Sequence, residues 1–221
     1  MSIIWDSTSL KEIANAKSNR KWKATGLEID SRKVKKGDLF CAIKGSNLDG
    51  HNFIKVAMKN GAAACLVSNN NSGLNEIAFA KVNSVIKTIE KMAIEARRRS
   101  KAKFIAITGS VGKTGTKEMF RNCFSKITDI FASQSSFNNH IGVPVSLSQI
   151  PESALFCVLE VGMNKKGEIK KLSELIKPDL AIITAVEQSH LQGLKDIRNI
   201  ALAKSEILYS LPKYGCFIFN K

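Results

Sequence analysis

The chain has 221 residues, 44% hydrophobic and 24% charged, enough apolar material for the cores of one or two globular domains. No run approaches the ~18 consecutive apolar residues of a membrane span, and the opening MSIIWDSTSLKEI is too polar for a signal peptide, so a cytoplasmic protein is expected. The formal charge of +15, from 34 Lys and Arg against 19 Asp and Glu, favours small polyanions; lysines spread along the chain and 7% aromatic residues argue against a nucleic-acid partner.

Residues 1–83 hold short apolar runs, Leu39–Ile43 and Ala62–Val67, a helical stretch from His51 to Asn60, and turn-rich joints such as KKGD and SNNNSG. This pattern predicts a small N-terminal α/β domain. Between Val85 and Arg99 the apolar positions 85, 86, 89, 92, 93 and 96 recur at helical spacing, so a helix opens a second domain, 84–221, and the Arg97–Arg99 cluster closes it facing solvent. Strand-like runs then follow at 104–108, 129–132, 155–160, 180–184 and 216–219, separated by helix-length stretches at 115–126, 168–176 and 198–210. Such alternation predicts a parallel sheet covered on both faces, with ligands at the carboxyl ends of its strands. Cys41, Cys65, Cys123, Cys157 and Cys216 stand singly among apolar neighbours, which predicts reduced core thiols.

The residues after each strand carry the chemistry. Thr108 leads into Gly109-Ser110-Val111-Gly112-Lys113-Thr114, one residue tighter than the common phosphate-loop spacing, and then into a helix. Glycines let backbone N–H groups reach phosphate oxygens; Lys113 would meet the outer phosphates and the Thr114 hydroxyl would hold Mg²⁺. Glu160 ends a buried strand, where a carboxylate needs a partner such as a hard cation. His190 follows the 180–184 strand at the same expected edge.

GSVGKTGTKEM, SSFNNHIGVPVSL, LEVGMNKKGEI and AVEQSHLQG with IALAKSEIL together resemble the Mur ligases, ATP-dependent amide-forming enzymes of peptidoglycan precursor synthesis. The N-terminal IDSRKVKKGDLFCAIKGSNLDGHNF is similar to the family's UDP-sugar-binding domain, and the later part to a P-loop-type, mostly parallel ATPase domain. NNHIGVP with EVGMNKKGEI is similar to the subgroup that adds D-alanyl-D-alanine to UDP-N-acetylmuramoyl-tripeptide. The resemblance implies that Gly109 to Thr114 bind ATP, that Thr114 and Glu160 hold one Mg²⁺, and that Glu160 and His190 help hold a second. It further implies a carbamylated Lys204 as a metal ligand, Asn138 and Asn139 near the phosphates and substrate carboxylate, and Ser31, Arg32, Asp49, Gly50 and His51 in the uridine-diphosphate region. A monomer is expected, with the ATPase domain incomplete at Lys221 and the family's C-terminal domain absent, so that this stretch alone is expected to be inactive. The diaminopimelate- or lysine-adding Mur ligases, and a non-catalytic UDP-sugar and nucleotide-binding module, remain alternatives.

Overall fold

The computed structural model describes residues 2–69, 77–134, 137–187 and 196–220. They form two compact units, Met1–Ala96 and Arg97–Lys221.

In the first unit β1 (Trp5–Asp6) runs directly into α1 (Ser7–Ala14). Asp6 sets that boundary: its carboxylate accepts the Thr8 and Ser9 N–H groups at 2.9 and 2.7 Å, and Ser9 Oγ accepts the Asp6 N–H in return. Asn15, with φ of 52°, ends the helix. There follow β2 (Lys17–Ser18), β3 (Lys23–Ala24), β4 (Gly26–Glu28), β5 (Asp38–Cys41), α2 (Ile54–Lys59), β6 (Ala64–Val67), β7 (Phe79–Lys81) and α3 (Val85–Arg99), whose last three residues, from Arg97, belong to the second unit. The sheet order is β2-β7-β6-β5-β4, parallel except for the β2–β7 pair. All four residues of β6 are buried, which is why it reads as a continuous apolar run rather than an alternation. Phe40, Cys65 and Val67 pack there with Ile54 and Ala57 of α2.

The helix expected from His51 to Asn60 is split. Asp49 accepts the His51 N–H and tightens Gly50–Phe53 into a 3₁₀ turn before α2 begins. Helix α3 buries Val85, Ile89, Met92, Ala93 and Ala96 along one face, as the spacing predicts.

In the second unit come β8 (Lys103–Thr108), α4 (Lys113–Phe124), β9 (Ile130–Ala132), α5 (Gly142–Leu147), β10 (Phe156–Glu160), α6 (Glu168–Ile176), β11 (Leu180–Ile183), α7 (Ile197–Ser205), a 3₁₀ turn Glu206–Ser210 and β12 (Cys216–Phe219). The sheet order is β12-β11-β8-β10-β9, with every pair parallel. From β8 the chain crosses by α4 to β9, returns to β10, and then passes by α6 to β11 on the other side of β8. Right-handed crossovers in opposite directions put α4 and α6 on opposite faces, so the order reverses at β8, where the loop before α4 emerges.

Two expectations are corrected. Arg97 does not face solvent: its guanidinium donates to the Ile176 and Lys177 carbonyls at 2.7 and 3.0 Å and lies 3.9 Å over the Phe104 ring, closing the C-terminus of α6. Of the cysteines, Cys41, Cys65 and Cys157 are buried thiols, whereas Cys123 on α4 and Cys216 on the edge strand β12 are exposed.

Candidate active site

Strand β8 delivers the backbone to Thr108 at the centre of the sheet, and α4 leaves from Lys113. The turn between them is set by two glycines in the left-handed region, Gly109 at φ of 153° and Gly112 at 83°. Gly109 also meets a steric limit, because a Cβ there would lie 1.9 Å from Thr184 Oγ1. Thr184, just past β11, donates its hydroxyl to the Val111 carbonyl at 2.5 Å. Ser110 ties the loop to the same neighbour: its N–H donates to the Ala185 carbonyl at 2.8 Å, and its hydroxyl exchanges bonds with the Glu187 backbone. Thr184 and Ser110 thus fix the loop from β11, roles that the motif spacing did not assign.

The Lys113 ammonium folds back over this loop, donating to the Gly109 carbonyl at 2.7 Å and the Ser110 carbonyl at 3.3 Å. Thr114 Oγ1 donates to Glu160 Oε2 at 2.8 Å, and Asn138 Nδ2 donates to Glu160 Oε1 at 2.9 Å. Glu160 is 3% exposed at the end of β10, the neighbour of β8, so parallel pairing alone brings it beside the loop. Gly162 makes room for Asn138: a Cβ there would lie 3.1 Å from that side chain, and its N–H donates to the Asn138 carbonyl at 2.7 Å. Asn139 points elsewhere, accepting the Ile141 and Gly142 N–H groups at the start of α5. Lys204 is buried on α7, and burial together with the charge of Lys113 pushes its amine down to about 8. His190 lies outside the described residues.

The donor set around Glu160 suits a hard cation that keeps waters and phosphate oxygens in its shell. It offers one buried carboxylate and one hydroxyl, and among the described residues no cluster of three His, Cys, Asp or Glu side chains forms a closed protein cage.

Below Glu160 lies a lysine that the motif spacing does not single out. Lys117 is fully buried on α4, with its ammonium donating to the Ser133 carbonyl at 2.8 Å and lying 3.4 Å from Glu118 Oε1. Ser133 Oγ in turn accepts the Glu160 N–H at 3.4 Å.

In the first unit Ser31 and Arg32 follow β4, and Asp49 to His51 follow β5, at the carboxyl edge of two parallel neighbours. His51 is buried, with Nδ1 2.6 Å from Asp49 Oδ1 and Nε2 accepting the Ser68 N–H at 3.0 Å. Those partners place its proton on Nδ1. Gly50 is required by packing, since a Cβ would lie 2.7 Å from the Ile43 carbonyl. Ser31 is buried, its carbonyl accepting from Asn60, while exposed Arg32 pairs with Asp30 at 2.8 Å.

The Mur ligase middle domain matches residues 107–221, and the Mur ligase family catalytic domain matches residues 23–107. The chain belongs to the Mur ligase family. It is 37% identical over 218 residues to the UDP-N-acetylmuramoyl-tripeptide–D-alanyl-D-alanine ligase of Rickettsia prowazekii, covering 99% of this chain and 48% of that protein. The enzyme of the same name from Bacillus subtilis is 36% identical over 196 residues, covering 88% and 43%. Among solved structures, MurF from Acinetobacter baumannii superposes with a TM-score of 0.81 at 29% identity, covering 97% of this chain and 48% of that one. MurF ligase from Thermotoga maritima in complex with ADP gives 0.72 at 28% identity, covering 89% and 45%. The chain therefore spans about half the length of the relatives it matches.

Proposed function

We propose that this chain supplies the UDP-sugar-binding and phosphate-binding parts of an ATP-dependent ligase that joins D-alanyl-D-alanine to UDP-N-acetylmuramoyl-tripeptide. The observation that carries the reading is the buried Glu160 carboxylate joined to Thr114 of the glycine loop at 2.8 Å, in a chain whose relatives bear that activity's name.

The reaction must join a carboxylate to an amine at neutral pH. The tripeptide's terminal carboxylate oxygen bonds to the γ-phosphorus of ATP and ADP leaves, giving an acyl phosphate. The dipeptide's amine nitrogen then bonds to the acyl carbon, phosphate leaves, and the nitrogen gives up its proton. The chain's own part is to bind and orient. Loop amides and Lys113 grip the outer phosphates, and Asn138 holds the Glu160 carboxylate in place. Two Mg²⁺ ions, the first held by Thr114 and Glu160 and the second by Glu160 with His190, would neutralise charge on the phosphates when bound. Lys204 enters as a carbamate: its neutral amine adds carbon dioxide and loses a proton, and an amine near 8 is about a quarter neutral at pH 7.5. Ser31, Arg32 and the Asp49–His51 turn form the uridine-diphosphate site. The ligase acts as a cytoplasmic monomer.

Calorimetry with ATP and Mg²⁺, and separately with UDP-N-acetylmuramoyl-tripeptide, tests the reading alongside an amide-formation assay. Both ligands are expected to bind, with little amide product from these 221 residues alone. Lys113→Ala should weaken ATP by about 1.5–3 kcal/mol with the fold intact. ATP affinity unchanged in that variant would refute the phosphate loop. Preference for the dipeptide over the tripeptide nucleotide would point instead to the diaminopimelate- or lysine-adding activity, and failure of either ligand to bind would remove the reading.

A further inference from the structure

A separate cavity of about 500 Å³ opens in the first unit between the end of α1, β2, β7 and the start of α3. None of Ser31, Arg32 or Asp49–His51 lines it. Among the described residues its walls carry Lys17, Lys81, Lys87 and Lys91, and no Asp, Glu or aromatic residue.

The placement of these lysines is unfavourable for the chain by itself. Lys17 and Lys81 are directly opposed in the antiparallel β2–β7 pair, so their side chains leave the same face, where like charges repel. Lys87 and Lys91 stand four residues apart on α3, adjacent on one helix face, and repel in the same way. Two repulsive pairs, built on different elements, thus converge on one concavity with no carboxylate between them among the described residues. The first turn of α3 brings no acid to offset them, and Asn15, Asn83 and Ser84 add polar groups to the wall. A local rule broken twice at one cavity marks a place where a ligand supplies the missing charge.

We propose that this cavity binds an oligophosphate, a chain of two or three phosphates either free or carried by a nucleotide. Such a chain carries about −3 to −4, matching four ammonium groups, whereas one phosphate at about −2 leaves half of them unopposed. No aromatic residue stands among the described wall residues, which puts recognition in the phosphates and leaves bases without a stacking surface there. The proposal stands apart from the ligase reading, because it uses none of its residues.

The test uses the whole 221-residue chain carrying Lys113→Ala, which weakens the phosphate loop, and reads the cavity through its own amides. Tripolyphosphate, ATP and a single-stranded oligonucleotide are titrated in parallel without Mg²⁺, with amide resonances of Asn83, Ser84 and Lys87 as reporters. Tripolyphosphate is expected to shift those amides and leave those of Ser31 and His51 in place. Lys81→Gln with Lys87→Gln should weaken it at least about tenfold, the scale of losing charge-assisted contacts. A second readout has opposite signs: at low salt without anions the same double variant should melt higher than its parent, because repulsion is relieved, and with tripolyphosphate it should melt lower. Silent cavity amides, unchanged affinity in the double variant, ATP more than tenfold tighter than tripolyphosphate, or binding of the oligonucleotide alone would each overturn the proposal.

Discussion

Glu160 and Gly109 show how much of the site hangs on single atoms. In Glu160→Gln one carboxylate oxygen becomes an amide nitrogen, which can still occupy the space between Thr114 and Asn138 but cannot offer two anionic lone-pair faces. ATP binding in the presence of Mg²⁺ should fall about tenfold or more in calorimetry, while binding without Mg²⁺ stays near the parent value. Gly109→Ala acts through the backbone and through crowding at once. The added methyl meets Thr184 Oγ1, and a φ of 153° suits only glycine, so urea unfolding should report a loss of about 1–3 kcal/mol. Adding Thr184→Ala should recover the steric share and leave the backbone share. Glu160 is legible in the sequence, because a carboxylate ending an apolar run needs a partner. Thr184 is not, because its value lies in a bond to a loop more than seventy residues earlier, at Val111.

Helix α6 is held at both ends by side chains from outside it. Glu206 accepts the Gly167 N–H at 2.8 and 3.0 Å and the Lys170 N–H at 3.1 Å, and Arg97 takes the carbonyls at the far end. Glu206→Ala leaves those N–H groups without their acceptor and should cost about 1–2 kcal/mol in chemical denaturation, the usual range for a lost helix cap. Residues 168–176 are recognisable as a helix from spacing alone, and so are α3 and the apolar runs of β8, β10, β11 and β12. Helix α4 starts at Lys113 rather than near Gly115, because the left-handed Gly112 turns the chain straight into helix. Helix α5 gives no periodic signal, since all six residues of GVPVSL are buried and none marks a polar face. The two-residue strands β1, β2 and β3 are too short for an alternation to register at all.

At the scale of the whole chain, pH dependence should report on Lys204. Its amine is depressed from the usual 10.5 to about 8, so the folded chain gives up that proton at a lower pH than the unfolded chain does. The charged form is disfavoured in the fold, and the group's contribution to stability therefore rises as pH climbs from about 8 toward 10.5. In metal-free buffer without bicarbonate, the melting temperature should show that rise, and Lys204→Met should flatten it; an identical slope in the variant would place the titration elsewhere. Parallel strand order makes the candidate phosphate site legible in outline, since the loops after β8, β9, β10 and β11 leave one edge of one sheet. What stays hidden are the internal bonds that such side chains make, as Asn139 does at the start of α5 and Asp49 does with His51.

The Lys113 ammonium is lodged on the carbonyls of Gly109 and Ser110, and under the proposed function it is a latch that the incoming phosphates must lift. A chloride or a single small oxyanion would break two internal bonds and return little. A triphosphate bound as proposed would return those two and add further loop amides, so the latch would impose a threshold that filters out the abundant small anions of a salty solution. Under the same proposal those two bonds would re-form once the anion departs, so that release and the next capture start from one defined geometry.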